Sequence, residues 1–265
     1  MQEEYIDKII DEVMKKVEDH PTGRKQETTT ERNGSKSVSL TQFVGVSEGD
    51  TIGLVIANVD YTLHEAMNLD KKYRSIGIIG GRTGAGPQIM AADEAVKATN
   101  TEILAIELAR DTKGGAGHGS LIIFGAEDVA DARRAVEVAL TELKRTFGDV
   151  YSNEAGHLEF QYTARASYAC EKAFNAVVGK SFGLVVGAPA AIGVVLADTA
   201  VKAANVDVIA YSSPAKGTSF TNEVILSFSG DSGAVRQALT AAREVGLKLL
   251  GVMGSEPVSS TTPYI

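Results

Sequence analysis

Ala92-Asp93-Glu94-Ala95-Val96-Lys97-Ala98-Thr99-Asn100 returns, 105 positions later, as Ala197-Asp198-Thr199-Ala200-Val201-Lys202-Ala203-Ala204-Asn205. Seven of the nine residues match. Solenoid repeats run about 20–50 residues, so this spacing is that of a whole domain. Two similar domains on one chain form a pseudo-dimer, and a ring closed from such chains has twice its formal symmetry. The repeat therefore points to an assembly before it points to a catalyst.

Working outward, each copy of the repeat sits in a similar series of elements. In the first half, Ile52–Ile56 reads as a strand, 60–68 as a helix and Ile76–Ile79 as a strand. The repeat helix at 87–99 follows, then strands at Ile103–Leu108 and Leu121–Phe124 around a Gly-rich loop at 110–119. A helix over 128–145 closes the unit, with Ala132, Ala135, Val136, Ala139 and Leu143 on its apolar stripe. The second half repeats the order. His157–Tyr162 alternates polar and apolar side chains like a half-buried strand. A helix at 166–177, a strand at Phe182–Val186, the repeat helix, and strands at Val206–Tyr211 and Val224–Phe228 follow. Asp231 is an expected N-cap for the last helix. Short apolar strands and Ala-rich helices predict an α/β (α+β) fold, with helices layered on a mixed or antiparallel sheet, twice.

Four segments follow from this reading: an N-terminal helix and linker over 1–37, domains over 38–149 and 150–257, and a polar tail over 258–265, with 254–265 expected to be loosely held. On the N-terminal helix, Ile6, Ile9, Ile10, Val13 and Val17 share one face, and Pro21 stops it. The segment 20–37 reads as a flexible linker. A tethered apolar stripe folds back on its own domain or is partly disordered, or it docks in a groove of another protein.

The 265 residues suffice for two domains with their own cores. A net charge of −8 disfavours nucleic acid. No apolar run reaches the roughly 18 residues that a membrane span needs, and the acidic N-terminus does not read as a secretory signal. The single cysteine, Cys170, excludes an intrachain disulfide and fits a reducing cytoplasm as a small buried apolar residue.

Catalytic and cofactor motifs are missing. Gly81-Arg82-Thr83-Gly84-Ala85-Gly86 resembles a phosphate loop, but Pro87 and Gln88 stand where Lys and Ser/Thr belong. These glycines read better as tight turns and close backbone approaches. His20, His64, His118 and His157 form no metal-ligand spacing with one another or with Cys170. The chain is expected to be no enzyme and to carry no metal or cofactor. His118 is set apart by its place between Gly117 and Gly119. A lone loop histidine is ordinarily a surface residue, yet flanking glycines let several such loops crowd around one axis.

Ala197 to Val206, followed by a strand, a loop, a second strand and Gly230-Asp231-Ser232-Gly233-Ala234-Val235, resembles the shell domain of bacterial microcompartments (BMC). A strand–helix pair precedes each such core, which is similar to the circularly permuted tandem-domain shell proteins of propanediol- and ethanol-utilisation type. Gly84–Gln88, Arg110–Gly115 and Arg145–Tyr151 share that likeness, which covers about residues 40–257. The resemblance implies two permuted BMC domains, each a four-stranded antiparallel sheet with flanking helices, and a homotrimer that mimics a hexamer. It further implies a structural tile in a microcompartment shell within the cytoplasm, meeting other shell proteins at its edges and passing small polar metabolites. Carried over residue by residue, Lys97, Lys202 and Arg165 fall at the tile edge. Gly117, His118 and Gly119 fall in one pore loop, and Phe220, Thr221 and Asn222 in the other. Phe220 departs from the family's glycine pattern and could narrow an opening. The stripe Ile6, Ile9, Ile10, Val13 and Val17 is then expected to dock encapsulated enzymes. Against this stands a trimeric small-molecule sensor with ligand sites at subunit clefts.

Overall fold

The computed structural model describes residues 40–109 and 119–265. A hairpin of β1 (Phe43–Ser47) and β2 (Thr51–Ile56) is followed by α1 (Tyr61–Ala66), β3 (Ser75–Gly81) and α2 (Ala85–Ala98). Then come β4 (Glu102–Ala109), β5 (Gly119–Ala126) and α3 (Val129–Thr146). The second half runs β6 (Val150–Asn153), β7 (Gly156–Thr163), α4 (Tyr168–Phe174), β8 (Ser181–Ala188) and α5 (Ala190–Ala203). It ends with β9 (Asp207–Ser212), β10 (Val224–Gly230), α6 (Ser232–Met253) and β11 (Val258–Ser259).

The strands form two sheets, ordered β1-β2-β3-β5-β4 and β11-β6-β7-β8-β10-β9. Neighbours within each pair antiparallel. The four expected strands of each domain are β2-β3-β5-β4 and β7-β8-β10-β9, which correspond in order. Each sheet is larger than expected: β1 widens the first, and β6 with β11 widens the second. These additions are two to five residues long, too short for a period to mark them. The β1–β2 turn carries Gly49 and Asp50 at φ 70° and 49°, left-handed positions that close the hairpin.

The duplication extends to fine backbone detail. Asn68 follows α1 at φ 53° and Asn175 follows α4 at φ 56°, and Asn is one of the few residues that tolerates this region. Tyr61 and Tyr168 open the two helices. On α3 the expected stripe is buried, joined by Leu140, and Asp128 caps the helix by accepting from Ala130 N at 2.8 Å. Asp231 occupies the N-cap of α6 but makes no side-chain cap bond there.

With no Trp in the chain, aliphatic residues fill the cores around Phe124, Phe160, Phe182 and Phe228, all fully buried. The cores do not stop at the domain boundary. Met90 of α2 packs with Cys170, Phe182 and Leu184 of the second half, and Ala169 of α4 joins the core of the first. Two expectations are corrected at this seam. β7 is buried on both faces rather than one: His157, Glu159 and Gln161 are all buried, because α2 packs against that strand and Tyr264 Oη reaches Gln161. The segment 254–265 is not loose. β11 pairs with β6, Ser259 and Thr261 hydroxyls donate to the carbonyls of Gly148 and Lys144, and Tyr264 and Ile265 pack on the second core.

Candidate functional site

The repeat helix α2 supplies the join between the two domains. Asp93, fully buried, accepts from Ser167 N through both carboxylate oxygens at 3.0 Å and from Cys170 N at 3.1 Å. Ser167 makes no cap bond of its own, so the first domain caps a helix of the second. Lys97 Nζ lies 3.2 Å from Asp93 Oδ2 and donates to Glu94 Oε1 at 2.7 Å and to Arg165 O at 3.0 Å. Below this polar rim, Cys170 Sγ meets Met90 Sδ at 3.6 Å. Burial, and then the Asp93 carboxylate, push the Cys170 thiol well above its ordinary value, so it packs as a small apolar group.

The structure thus brings Lys97 and Arg165 to one rim, in a groove of about 460 Å³ that also holds Arg145, Arg236 and two glutamates. Lys97 keeps only a quarter of its side chain exposed. Lys202 lies apart on α5, mostly exposed, bonded to Asp198 Oδ2 at 2.7 Å.

The loop between β9 and β10 presents Phe220 with 81% of its surface exposed, and Ser219 and Phe220 both have positive φ. Beside it, Thr221 Oγ1 donates to Glu223 Oε1 at 2.8 Å, and Asn222 Oδ1 accepts from Ala190 N, the first residue of α5, at 3.1 Å. The loop is thereby tied to the helix while its phenyl ring points outward. Of the other loop, Gly119 begins β5, where a Cβ would come within 2.7 Å of Gly81 O. Gly117 and His118 lie outside the described residues, as do Ile6, Ile9, Ile10, Val13 and Val17.

A cavity of about 420 Å³ opens between Thr83 and Gly84, at the start of α2, and Phe147, Gly156, His157 and Glu159. Glu159 Oε1 has no partner among the described residues. Burial, and then the charge of Glu223, push its carboxyl up to about 8. A Cβ at Gly86 would sit 1.8 Å from Glu159 Oε1, so glycine is needed for this approach. His157 Nε2 stands 3.6 Å from Glu223 Oε2. Sequence reasoning passed over Asp93, Glu159 and Glu223. Asp93 was visible as the invariant acid of the repeat. The alternation of β7 hid Glu159 by suggesting an exposed face. Among the described residues no cluster of His, Cys, Asp and Glu could hold a metal ion, and no helix is long and apolar enough to cross a membrane.

The architecture agrees with what known proteins show. The BMC domain family matches residues 75–155 and 181–261, once in each half. The chain belongs to the BMC domain family. It is 63% identical to the bacterial microcompartment shell protein PduB of Citrobacter freundii, over 97% of this chain and 98% of that protein. A crystal structure of a trimeric microcompartment shell protein PduB superposes with a TM-score of 0.82 at 57% identity, covering 85% of this chain and all of the other. EtuB from Clostridium kluyveri superposes with a TM-score of 0.83 at 58% identity, covering 86% of this chain. The two BMC domains are therefore the two halves of the repeat, and the chain is a structural component of a microcompartment shell rather than an enzyme. The ligand-sensing alternative draws no support from these relatives.

Proposed function

We propose that three copies of this chain close into a flat, sixfold-like tile that seals a microcompartment shell and limits passage of small polar metabolites. The observation that carries the reading is the duplication itself: two domains with the same order of four inner strands and the same repeat helix give three chains six similar wedges. The trimeric state of a PduB relative supports it.

In this reading the β9–β10 loop, with Phe220, Thr221 and Asn222, and the loop holding Gly117, His118 and Gly119 line or cover the middle of the tile. An exposed phenyl ring on each chain narrows that opening, and small polar side chains around it select by size and hydrogen bonding. His118 makes passage pH-sensitive if it borders the opening; permeation through His118→Ala tiles that keeps the parent's pH dependence would remove that role. Lys97, Lys202 and Arg165 meet neighbouring tiles at the rim. The stripe Ile6, Ile9, Ile10, Val13 and Val17 docks enclosed enzymes helix-in-groove.

Negative-stain microscopy at moderate salt tests the tile. Flat sheets or tubes are expected, and discrete particles at every salt concentration would remove the reading. Removing residues 1–37 should leave those sheets intact and loosen enzyme attachment; unchanged retention of the enclosed enzymes would reject the docking role.

A further inference from the structure

The rim groove holds more positive charge than its own carboxylates answer. Lys97 pairs with Asp93 and Glu94, and Arg145 Nε donates to Glu142 Oε2 at 2.7 Å. Both glutamates that line the groove are thereby paired. Arg165 and Arg236 line it too, and neither meets a carboxylate among the described residues. Arg165 is exposed, and its guanidinium has no hydrogen-bond partner among those residues. Arg236 Nη2 donates to a neutral acceptor, the Tyr264 carbonyl, at 3.3 Å. Two cations are left over, on a chain whose net charge is −8.

Two guanidiniums of the groove are held in place before any ligand arrives. Arg145 Cζ lies 4.8 Å from the Tyr264 ring centroid, and Arg236 Cζ lies 4.8 Å from that of Tyr162. The two phenols are locked to each other: Tyr162 N donates to Tyr264 Oη at 3.1 Å, and Tyr264 Oη donates to Tyr162 O at 3.3 Å. A stacked guanidinium keeps its N–H edges available to acceptors in its plane, and its fork matches paired oxygens of a phosphate or carboxylate. The duplication does not demand this cluster. Asn68 and Asn175 lie 107 residues apart, and at that spacing Val55 and Asn58 stand in place of Tyr162 and Arg165. The first half forms the same four strands without them.

We propose that this groove binds a phosphate-type dianion, with the guanidiniums of Arg165 and Arg236 supplying both charge and hydrogen bonds. Two unanswered cations favour a ligand of two negative charges over one. The volume of about 460 Å³ exceeds that of a lone phosphate and is of the size that takes a small organic molecule. The ligand class therefore spans inorganic phosphate and small phosphomonoesters. The site goes beyond the tile reading and does not depend on how copies join, since one chain supplies every residue named.

The test is isothermal titration calorimetry of the full-length chain with sodium phosphate at about pH 8, where phosphate is largely a dianion, at an ionic strength fixed with sodium chloride. One saturable site per chain is expected. Arg165→Gln and Arg236→Gln should each weaken it about tenfold through the loss of a charged donor. Lys248→Gln, which removes an exposed cation elsewhere on α6, should leave it unchanged. Acetate, with a single charge, should bind about tenfold more weakly or less; acetate binding as tightly as phosphate overturns the dianion assignment. Phenyl phosphate binding above inorganic phosphate assigns an organic phosphate, the reverse order assigns the free ion, and either supports the site. Heats without saturation, or Arg165→Gln binding as the parent does, overturn it. Arg165 makes no side-chain bond among the described residues, so that variant keeps the fold and decides the matter even where Arg236→Gln does not fold.

Discussion

Asp93 and Asp198 occupy the same place in the same repeat, and packing makes them very different residues. Asp93 is buried, accepts three backbone N–H contacts and faces Lys97. Removing a buried, paired carboxylate strands its donors and cation, at a cost of about 3 kcal/mol. Asp198 is exposed and, among the described residues, pairs with Lys202, and exposed pairs contribute about 0.5 kcal/mol or less. Urea unfolding of Asp93→Ala should therefore show a clear loss of stability and Asp198→Ala almost none; equal losses would refute the account of the seam. Glu159 gives a pH prediction. Its folded pKa of about 8 lies above the ordinary 4.5, so between those values the native state holds a proton that the unfolded chain has released. Stability is thus fully present below about pH 4.5 and falls as pH rises toward 8. Glu159→Gln should raise the urea midpoint at pH 8, with the gain shrinking toward pH 5. A gain independent of pH would show that the carboxyl is not protonated in the fold.

Among the elements, the four inner strands and the long helices of each half were legible because each has its period. The apolar stripe of α3 is a clear case, since Ala132, Ala135, Val136, Ala139 and Leu143 were all expected and all are buried. β7 was misread because alternation reports a polar face without saying what covers it, and here α2 and the C-terminal segment do. That segment escaped because its anchoring is polar: hydroxyls of Ser259 and Thr261 serve as backbone ligands, a use that composition disguises as a loop. The candidate site was legible only as positions. The pairing of Lys97 with Lys202 followed from the repeat, and the β9–β10 loop was placed by the family resemblance, whereas the burial of Asp93 and Glu159 depends on contacts between halves that no local pattern records. The terminal segment carries its own prediction. Tyr264 N and Ile265 N donate to Asp149 Oδ2 at 2.8 and 3.0 Å, beside the 2.6 Å pair of Asp149 with Arg243. Ending the chain at residue 257 should cost about 3 kcal/mol through the donors lost to this buried carboxylate, seen as a lower urea midpoint. An unchanged midpoint would show that the segment is held without contributing to stability.

At the scale of the whole molecule, duplication explains why one polypeptide has a finished seam on one side and open faces on the other. A single chain buries α2 against α4 but leaves α5 and α1 with exposed valines and leucine. In the proposed tile the count of three follows if each domain turns the ring by one sixth. The measurement that tests this most directly is the solution mass of the full chain by analytical ultracentrifugation at micromolar concentration. The account predicts a single species of three 27.9 kDa chains; a stable single chain, or a closed assembly of any other number, would contradict it.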